Sequence, residues 1–428
     1  MSSQASRLEG LDRPTVWTEF SPLSAAHNAV TLGQGFPNWP PPKFAIDAFH
    51  EALDAGEGNT NNQYTRPECH PRLAKTLAED YSNKLNREID WASEVASGVG
   101  CTQVLYLTMQ GLINPGDEVV LFEPAFDIYS QQIKLAGGKP VFCPLLTKDG
   151  DNANDCFVVD WDKLEASVTE KSKALIINTP HNPTGKIFSL SEMERISEIV
   201  AKFPNLIVIT DEVYEHIIFD TENSPHLHFA SLPGMYERTL TLSSSGKTFS
   251  ATGWKVGWAI GPSHLVKCLT NVQTWCCFSI PTTNQEAVAI CLEKASTNGF
   301  YAELSATYKK KRDVLCAALT AAGISPVTPA GGFFVCGNTA KLEFPAEYYS
   351  NFDSPAAPTT NPLPRDWALA RYLTIERRIG TIPPSAFYSK ENIGNAKDLL
   401  RFAYCKTDNV LEEAQQVLKD AANKKTNF

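Results

Sequence analysis

Three features are scarce in this sequence of 428 residues: long apolar runs, an excess of positive charge and closely paired cysteines. The longest apolar stretches, such as 174–177 and 206–209, are far shorter than the roughly 20 residues that cross a bilayer. The formal net charge of −10 would repel a polyanion. The sequence therefore predicts neither a membrane span nor a nucleic-acid partner.

Two further absences concern location and cysteine chemistry. The first ten residues lack the apolar core of a secretory signal, and nearby acidic side chains disfavour a transit peptide. We expect a cytoplasmic protein, with a mitochondrial location left open. The 11 cysteines include no C-x-x-C pair, and only Cys276 and Cys277 are neighbours. Reduced thiols are expected, with no disulfide and no zinc site.

The length and the periodicity of the chain predict more than one domain. Residues 1–45 have the character of an arm that completes the small domain, with Trp17, Phe20, Leu23 and Ala26 at helical spacing. From 46 to 300, strand-length apolar runs alternate with amphipathic helical stretches, which predicts a large α/β domain built on a mostly parallel sheet with helices on both faces. Residues 301–428 predict a smaller α+β domain.

Within these regions, individual elements can be placed. Four runs, at 119–122, 174–177, 206–209 and 240–242, are continuously apolar, as in strands that helices cover on both faces. Helices are predicted around 308–312 and over 366–379 and 407–421. The stretch 341–365 is rich in proline, asparagine, serine and threonine. It predicts a surface insertion rather than core.

Polar motifs follow three of the four runs directly. They are Asn-Thr-Pro-His-Asn-Pro-Thr-Gly at 178–185, Thr-Asp-Glu-Val-Tyr at 210–214 and Ser-Ser-Ser-Gly-Lys at 243–247. Ligands of open parallel sheets lie beyond the carboxyl ends of the strands, so these side chains are expected to converge at one edge. Lys247 does not belong to a G-x-x-x-x-G-K phosphate loop, because Thr241 stands where that motif needs glycine.

Together these motifs resemble those of the class I/II aminotransferases of fold type I, enzymes that use pyridoxal 5′-phosphate (PLP). The likeness covers about residues 17–404 and includes a Ser-x-x-Lys-x-x-x-x-x-Gly-x-x-x-Gly pattern at 244–257. Segments 32–37, 62–65, 123–127 and 245–258 are similar to the kynurenine aminotransferases, also described as glutamine transaminase K and cysteine S-conjugate β-lyases. The resemblance implies the aspartate-aminotransferase-like fold.

The resemblance also implies a role for each motif residue. Lys247 would hold PLP as a Schiff base and then move the substrate's α-proton. Asp211 would favour the protonated pyridine nitrogen, Tyr214 and Asn182 would hydrogen-bond the phenolic oxygen, and Phe126 would stack on the ring. Taken alone, Asp211 could equally be a helix N-cap. A simple turn at Asn182 and core packing for Phe126 are the lesser alternatives to their functional roles.

The phosphate of PLP would lie among Ser244, Lys255 and the helix start at Cys101 and Thr102, by the same resemblance. Relatives tend to carry an aromatic residue where Thr102 stands. A main-chain contact would survive that difference, whereas a side-chain contact is in doubt.

For the substrate, Arg401 would bind the α-carboxylate in a bidentate manner, with help from Gly35 and Asn182. Three aromatic residues would line the side-chain pocket, two of them reaching over from the second subunit of a homodimer: Trp17, and then Tyr64 and Phe278. Ser279 replaces the histidine that some relatives carry, so side-chain preference is expected to differ.

The expected activity is transfer of an amino group from an aromatic or sulfur-containing amino acid, kynurenine among them, to a 2-oxo acid. A cysteine S-conjugate β-lyase would use identical cofactor contacts and stays open. A binding module is disfavoured because the principal site residues are all present. His226 and His228 have a metal-like spacing, but no third ligand lies nearby in the sequence, so a loop and no metal are expected.

Overall fold

The computed structural model describes residues 4–54, 57–350, 353–359 and 361–423. Among these residues, no helix combines the length and apolar character needed to reach across a bilayer. The strands are β1 (Val30–Thr31), β2 (Val95–Val99), β3 (Glu118–Glu123), β4 (Lys139–Pro144), β5 (Leu146–Thr147), β6 (Phe157–Val158), β7 (Ser172–Asn178), β8 (Ile207–Asp211), β9 (Thr239–Ser244), β10 (Val256–Ile260), β11 (Ser325–Val327), β12 (Phe334–Asn338), β13 (Ile379–Gly380) and β14 (Leu399–Ala403). The α-helices are α1 (Val16–Ala26), α2 (Lys43–Asp54), α3 (Pro71–Leu85), α4 (Gly100–Leu112), α5 (Asp127–Leu135), α6 (Ala153–Cys156), α7 (Trp161–Ser167), α8 (Leu190–Ala201), α9 (Ser245–Thr248), α10 (Ser263–Cys276), α11 (Thr282–Ala295), α12 (Phe300–Ala321), α13 (Arg365–Arg377) and α14 (Asp408–Asn423).

The central feature is a seven-stranded sheet with the order β2-β10-β9-β8-β7-β3-β4. Strand β10 runs antiparallel to both of its neighbours, whereas the strands from β9 to β4 are parallel to one another. The four continuous apolar runs lie in β3, β7, β8 and β9, as predicted. The predicted α/β fold with a mostly parallel sheet is confirmed.

Strand β8 shows why these runs do not alternate with polar residues. Val208 packs in one cluster with Leu175 and Ile177, and Ile209 packs in another with Ile176. Helix α8 contributes to the first cluster and helix α4 to the second. Since successive strand residues point to opposite faces, both faces of the sheet are covered, and polar side chains are confined to the strand ends.

The ends of β7, β8 and β9 lie side by side. Asn178 is paired with Asp211, and Asp211 is paired with Leu242 two residues before Ser244. The motifs that follow these strands therefore start from one edge of the sheet, as the sequence predicts.

The C-terminal part contains a smaller antiparallel sheet with the order β11-β12-β14. The three helices predicted there correspond to α12, α13 and α14. The N-terminal arm packs on this part, because α1 contacts α13 and β1 pairs with β13 through Val30 and Ile379. The domain boundaries at 45 and 300 stay a prediction.

The prediction of a surface insertion at 341–365 is wrong at several positions. Leu342, Tyr348 and Leu363 are buried, and they belong to the same apolar cluster as Trp367 of α13. The Tyr348 hydroxyl also donates a hydrogen bond to Glu376 at 2.9 Å. A few apolar anchors hold this polar stretch against the core, and composition alone does not reveal them.

Candidate active site

One cavity of about 480 Å³ opens at the edge where β7, β8 and β9 end. Its size is in the range of pockets that hold small ligands. Apart from Tyr64 and Phe278, the residues predicted for the site all line it: Trp17, Gly35, Cys101, Thr102, Phe126, Asn182, Asp211, Tyr214, Ser244, Lys247, Lys255 and Arg401.

Lys247 lies on α9, the single turn that follows β9, and its amine points into the cavity region. Its Nζ donates a hydrogen bond to the carbonyl of Gly35 at 2.9 Å. Burial lowers the pKa of Lys247 to about 8, although Cys405 and Asp211 oppose the shift. An amine with this pKa is neutral in a useful fraction near neutral pH, as nucleophilic and proton-transfer chemistry require.

Gly35 approaches the site closely because it has no side chain. A Cβ at this position would lie 2.5 Å from Cζ of Phe334, which lines the same cavity. Any larger residue at position 35 would have to displace the Phe334 ring from this wall of the cavity.

Asp211 is the last residue of β8 and is 7% exposed. The hydroxyl of Tyr129 donates a hydrogen bond to its Oδ2 at 2.6 Å, and the Val213 amide donates to Oδ1 at 3.4 Å. Burial raises the pKa of Asp211, and the Tyr129 hydrogen bond opposes that shift. Tyr129 is a site residue that the sequence analysis missed.

Tyr214 is buried against two rings of the C-terminal part, with centroids 5.0 Å from Phe333 and 6.3 Å from Phe334. Burial raises the pKa of its hydroxyl. Asn182 is also buried, and its backbone amide donates to Oδ1 of Asn178 at 2.7 Å. Both predicted residues are thus held firmly at the cavity wall.

The other end of the cavity is formed by the start of α4. Gly100, Cys101 and Thr102 supply its first turn, and the amine of Lys255 lies so close that a Cβ at Gly100 would be 3.0 Å from it. Ser244 lines the same wall. Free backbone amides, a hydroxyl and an ammonium group together are suited to bind a phosphate.

Gly257 allows this arrangement. A Cβ at Gly257 would lie 2.4 Å from the backbone nitrogen of Cys101, so any other residue would push α4 away from β10. Thr102 is exposed, and its backbone carbonyl accepts a hydrogen bond from the side chain of Gln132 at 3.0 Å.

Arg401 lies on β14 and is 1% exposed. Its guanidinium donates to the carbonyl of Gly33 at 2.7 Å and to Oδ1 of Asn182 at 3.2 Å, while its Nε has no hydrogen-bond partner in the described part of the chain. No ion pair joins it to a carboxylate among the described residues. Burial lowers its pKa to about 10, so the group stays cationic at neutral pH.

Three aromatic rings lie against this guanidinium, with centroids 4.1 Å (Phe334), 5.0 Å (Phe387) and 5.3 Å (Trp17) from Cζ. The Trp17 indole donates to Oδ2 of Asp127 at 3.0 Å. Phe126 precedes Asp127 at the start of α5 and also lines the cavity. A buried cation in an apolar wall is costly without an anion, which indicates a site for a carboxylate ligand.

Tyr64 and Phe278 do not line the cavity of their own chain. They lie against each other, with ring centroids 5.6 Å apart, and remain 87% and 43% exposed. Their predicted role across a subunit interface stays a prediction.

His226 and His228 do have a third group beside them, contrary to the expectation from sequence. Glu212 accepts hydrogen bonds from His226 Nε2 at 2.9 Å and from His228 Nδ1 at 2.5 Å. Burial opposes ionisation of Glu212, but the two histidines lower its pKa to about 2. Direct hydrogen bonds account for this cluster, and the prediction of no metal stays untested.

Comparison with known proteins identifies the chain's relatives. The profile of the family described as aminotransferase class I and II matches residues 27–418. A kynurenine–oxoglutarate transaminase of Dictyostelium discoideum is 44% identical over 95% of this chain and 93% of its own length.

Solved structures agree with this. A Saccharomyces cerevisiae protein, described as a candidate kynurenine aminotransferase, superposes with a TM-score of 0.92 at 32% identity, covering 99% of both chains. A variant of Thermus thermophilus aspartate aminotransferase superposes with a TM-score of 0.83 at 24% identity, covering 98% of this chain and all of that one, which bears on the fold alone. The fold is therefore aspartate-aminotransferase-like, and this chain belongs to the class I and II aminotransferases.

Proposed function

We propose that this enzyme uses PLP on Lys247 to transfer the amino group of an aromatic or sulfur-containing amino acid to a 2-oxo acid. The observation that carries the proposal is one cavity with two unusual cations. One is a lysine whose pKa is lowered to about 8, and the other is the buried Arg401 without a carboxylate partner among the described residues. Kynurenine is the donor to test first, because the Dictyostelium relative is named for it.

The cavity residues fit PLP. The start of α4, with Ser244 and Lys255, would hold the phosphate, and Asp211 would face the ring nitrogen. Phe126 would cover the ring, and Tyr214 and Asn182 would bind the phenolic oxygen. When bound, PLP supplies an electron sink for the substrate's α-carbon.

The chain's own residues supply binding and proton transfer. Arg401 would bind the substrate α-carboxylate through two charge-assisted hydrogen bonds, with Asn182 and Gly35 beside it. Lys247 would serve as the base that takes the α-proton when its amine is free, and burial lowers the pKa of that amine to about 8. Trp17 and Phe334 would keep water from the carboxylate.

Transamination is favoured over β-elimination because the Dictyostelium relative is named a transaminase. Trp17 and Phe126 in the cavity wall would favour a flat, apolar side chain on the substrate.

We also propose a homodimer in which Tyr64 and Phe278 complete the partner's pocket. The support is their exposure: two adjacent rings, one of them 87% exposed, form an apolar surface that a second copy would cover. Tyr64→Ala should lower kcat/KM for an aromatic donor while leaving PLP uptake intact.

A panel of amino acids tests the substrate proposal. Each is mixed with PLP-loaded enzyme without a 2-oxo acid, and loss of the absorbance of the Lys247-bound cofactor is followed. Aromatic or sulfur-containing donors should react fastest. In a separate steady-state assay with a 2-oxo acid as acceptor, Lys247→Ala should show no turnover. A protein that takes up no PLP, or a Lys247→Ala variant with full activity, would contradict the proposal. Release of pyruvate from a cysteine S-conjugate without an acceptor would instead support the alternative β-lyase activity.

A further inference from the structure

Tyr129 joins helix α5 to the end of strand β8 through a single short hydrogen bond. Its hydroxyl lies 2.6 Å from Oδ2 of Asp211, and the two residues are 3% and 7% exposed. Both line the cavity that would hold PLP. A buried phenol is thus placed directly behind the carboxylate that would face the cofactor's ring nitrogen.

The chemistry of the pair defines what the hydrogen bond does. Burial and the neighbouring carboxylate raise the pKa of Tyr129 far above its usual range, so the hydroxyl keeps its proton and donates it at every working pH. Oδ2 of Asp211 is occupied by this donor, and the Val213 amide reaches Oδ1 only at 3.4 Å. Oδ1 is therefore the oxygen with the weaker hydrogen bond and the greater remaining capacity to accept from a ligand.

A donor at this position stabilises the ionised form of Asp211 over the neutral form, because hydrogen bonds to a charged group are stronger. Burial works in the opposite direction on the same carboxyl. An ionised carboxylate, in turn, is what favours a proton on the nitrogen of a pyridine ring.

We propose that Tyr129 is a positioning residue that keeps Asp211 ionised and turns its more weakly bonded oxygen, Oδ1, toward the cofactor, thereby setting how strongly the ring withdraws electrons. The inference rests on the proposed use of PLP. Tyr129 itself need not touch the cofactor or the substrate.

A purely structural role is the competing explanation. Helix α5 also carries Phe126 at its start, with ring centroids 5.8 Å from Tyr129, so the hydrogen bond could serve only to fix the helix. In that case, removal of the hydroxyl would lower stability and leave the titration of the bound cofactor unchanged.

The test compares Tyr129→Phe with Tyr81→Phe in the PLP-loaded enzyme. Tyr81 is a matched control, because its buried hydroxyl also donates to a carboxylate, Glu215, at 3.2 Å but lies outside the cavity lining. The readouts are the PLP dissociation constant and the pH midpoint of the absorbance of the Lys247-bound cofactor. Urea unfolding of both cofactor-free variants establishes that they fold.

For Tyr129→Phe we expect PLP binding to weaken roughly 10- to 100-fold, the range for one hydrogen bond to a charged group. The midpoint should move to higher pH, because a less protonated ring draws less electron density from the Lys247 nitrogen. Tyr81→Phe should move neither quantity. In an Asp211→Asn background, Tyr129→Phe should leave the midpoint where it is, since no carboxylate remains to be ionised.

Two results would overturn the inference: Tyr129→Phe with a wild-type midpoint, or an equal shift in the presence and absence of the Asp211 carboxylate. Failure of the proposed function is distinguishable, because wild-type protein would then take up no PLP or transfer no amino group. Loss of stability alone, without a change in midpoint, would assign Tyr129 to the structural role.

Discussion

The buried guanidinium of Arg401 supports a quantitative prediction about substrate binding. Arg401→Gln removes the charge but keeps an amide that can still donate to the Gly33 carbonyl. Because Arg401 lacks a carboxylate partner among the described residues, the variant also relieves a buried, uncompensated charge. The free energy of unfolding of the cofactor-free protein should therefore change little, even though one buried hydrogen-bonding group is altered.

The cost should appear only when a substrate carboxylate is present. Breaking a buried pair by removing one partner costs about 3–5 kcal/mol, because the other charge is left unpaired. That free energy corresponds to a loss of at least roughly 10²-fold in kcat/KM for any amino donor. The side chain of the donor should not matter, because all amino-acid donors share the α-carboxylate.

Two assays separate binding from folding. Steady-state kinetics give kcat/KM, and thermal unfolding is measured with increasing 3-phenylpropionate, a carboxylic acid without an amino group. The acid should raise Tm of the wild type by mass action but not that of Arg401→Gln. Arg365→Gln is the matched control, because Arg365 donates to the carbonyls of Thr339 and Leu342 at 2.8 and 2.7 Å and does not line the cavity. Near-wild-type kcat/KM in Arg401→Gln, or an unchanged effect of the acid, would refute the reasoning.

Three further predictions concern stability and the phosphate site. Burial lowers the pKa of Lys247 from 10.5 to about 8, so the unfolded chain binds more protons between these values and stability rises with pH across that window. The free energy of unfolding of the wild type, measured with urea, should therefore be about 3 kcal/mol higher at pH 10 than at pH 7, and Lys247→Met should abolish that difference. Burial raises the pKa of Asp366 from 3.8 to about 7, so wild-type stability should fall as pH rises from 4 to 7. The Asp366→Asn side chain can still accept a hydrogen bond from the Ser385 amide but cannot ionise. In the same assay, the free energy of unfolding of this variant relative to the wild type should increase by about 3 kcal/mol from pH 4.5 to pH 8. Gly257→Ala places a Cβ 2.4 Å from the Cys101 nitrogen and so displaces the start of α4. Overpacking of this kind costs about 1–3 kcal/mol, so the PLP dissociation constant, measured by equilibrium dialysis, should rise roughly 5- to 150-fold.

Much of the fold could be predicted because its signals are local. The run at 206–209 is apolar on both faces of β8, and the motif after it begins at the strand end, so the edge of the sheet could be identified without coordinates. The buried anchors Tyr348 and Leu363 could not, because their neighbours are polar and only the packing against α13 distinguishes them.

Two contacts that the sequence analysis missed join residues that are well separated in the sequence, one in the cavity wall and one outside it. Tyr129 reaches Asp211 at the end of β8 from helix α5, 82 positions away, and nothing in the amphipathic pattern of α5 singles it out. Glu212 was overlooked as a neighbour of His226 and His228 because 14 and 16 positions separate them. A single sequence shows where a strand ends but not which side chains from other elements pack against that end. The position of Glu212 directly after Asp211, at the end of a buried strand, is the signal in the sequence that a second buried carboxylate needs partners.

The charges of the cavity differ from those of the whole chain, and this difference bears on how ligands are recruited. The protein has a formal net charge of −10, yet its cavity is lined by Lys247, Lys255 and Arg401 against only Asp127 and Asp211. Burial lowers the pKa of Lys247 and Arg401, and neighbouring groups that favour the charged forms do not offset that effect. A phosphate at one end and a carboxylate at the other would supply the missing negative charge. Binding of the two anions should therefore stabilise the fold as well as prepare the chemistry, since each anion interacts with a group that costs free energy while it is unpaired.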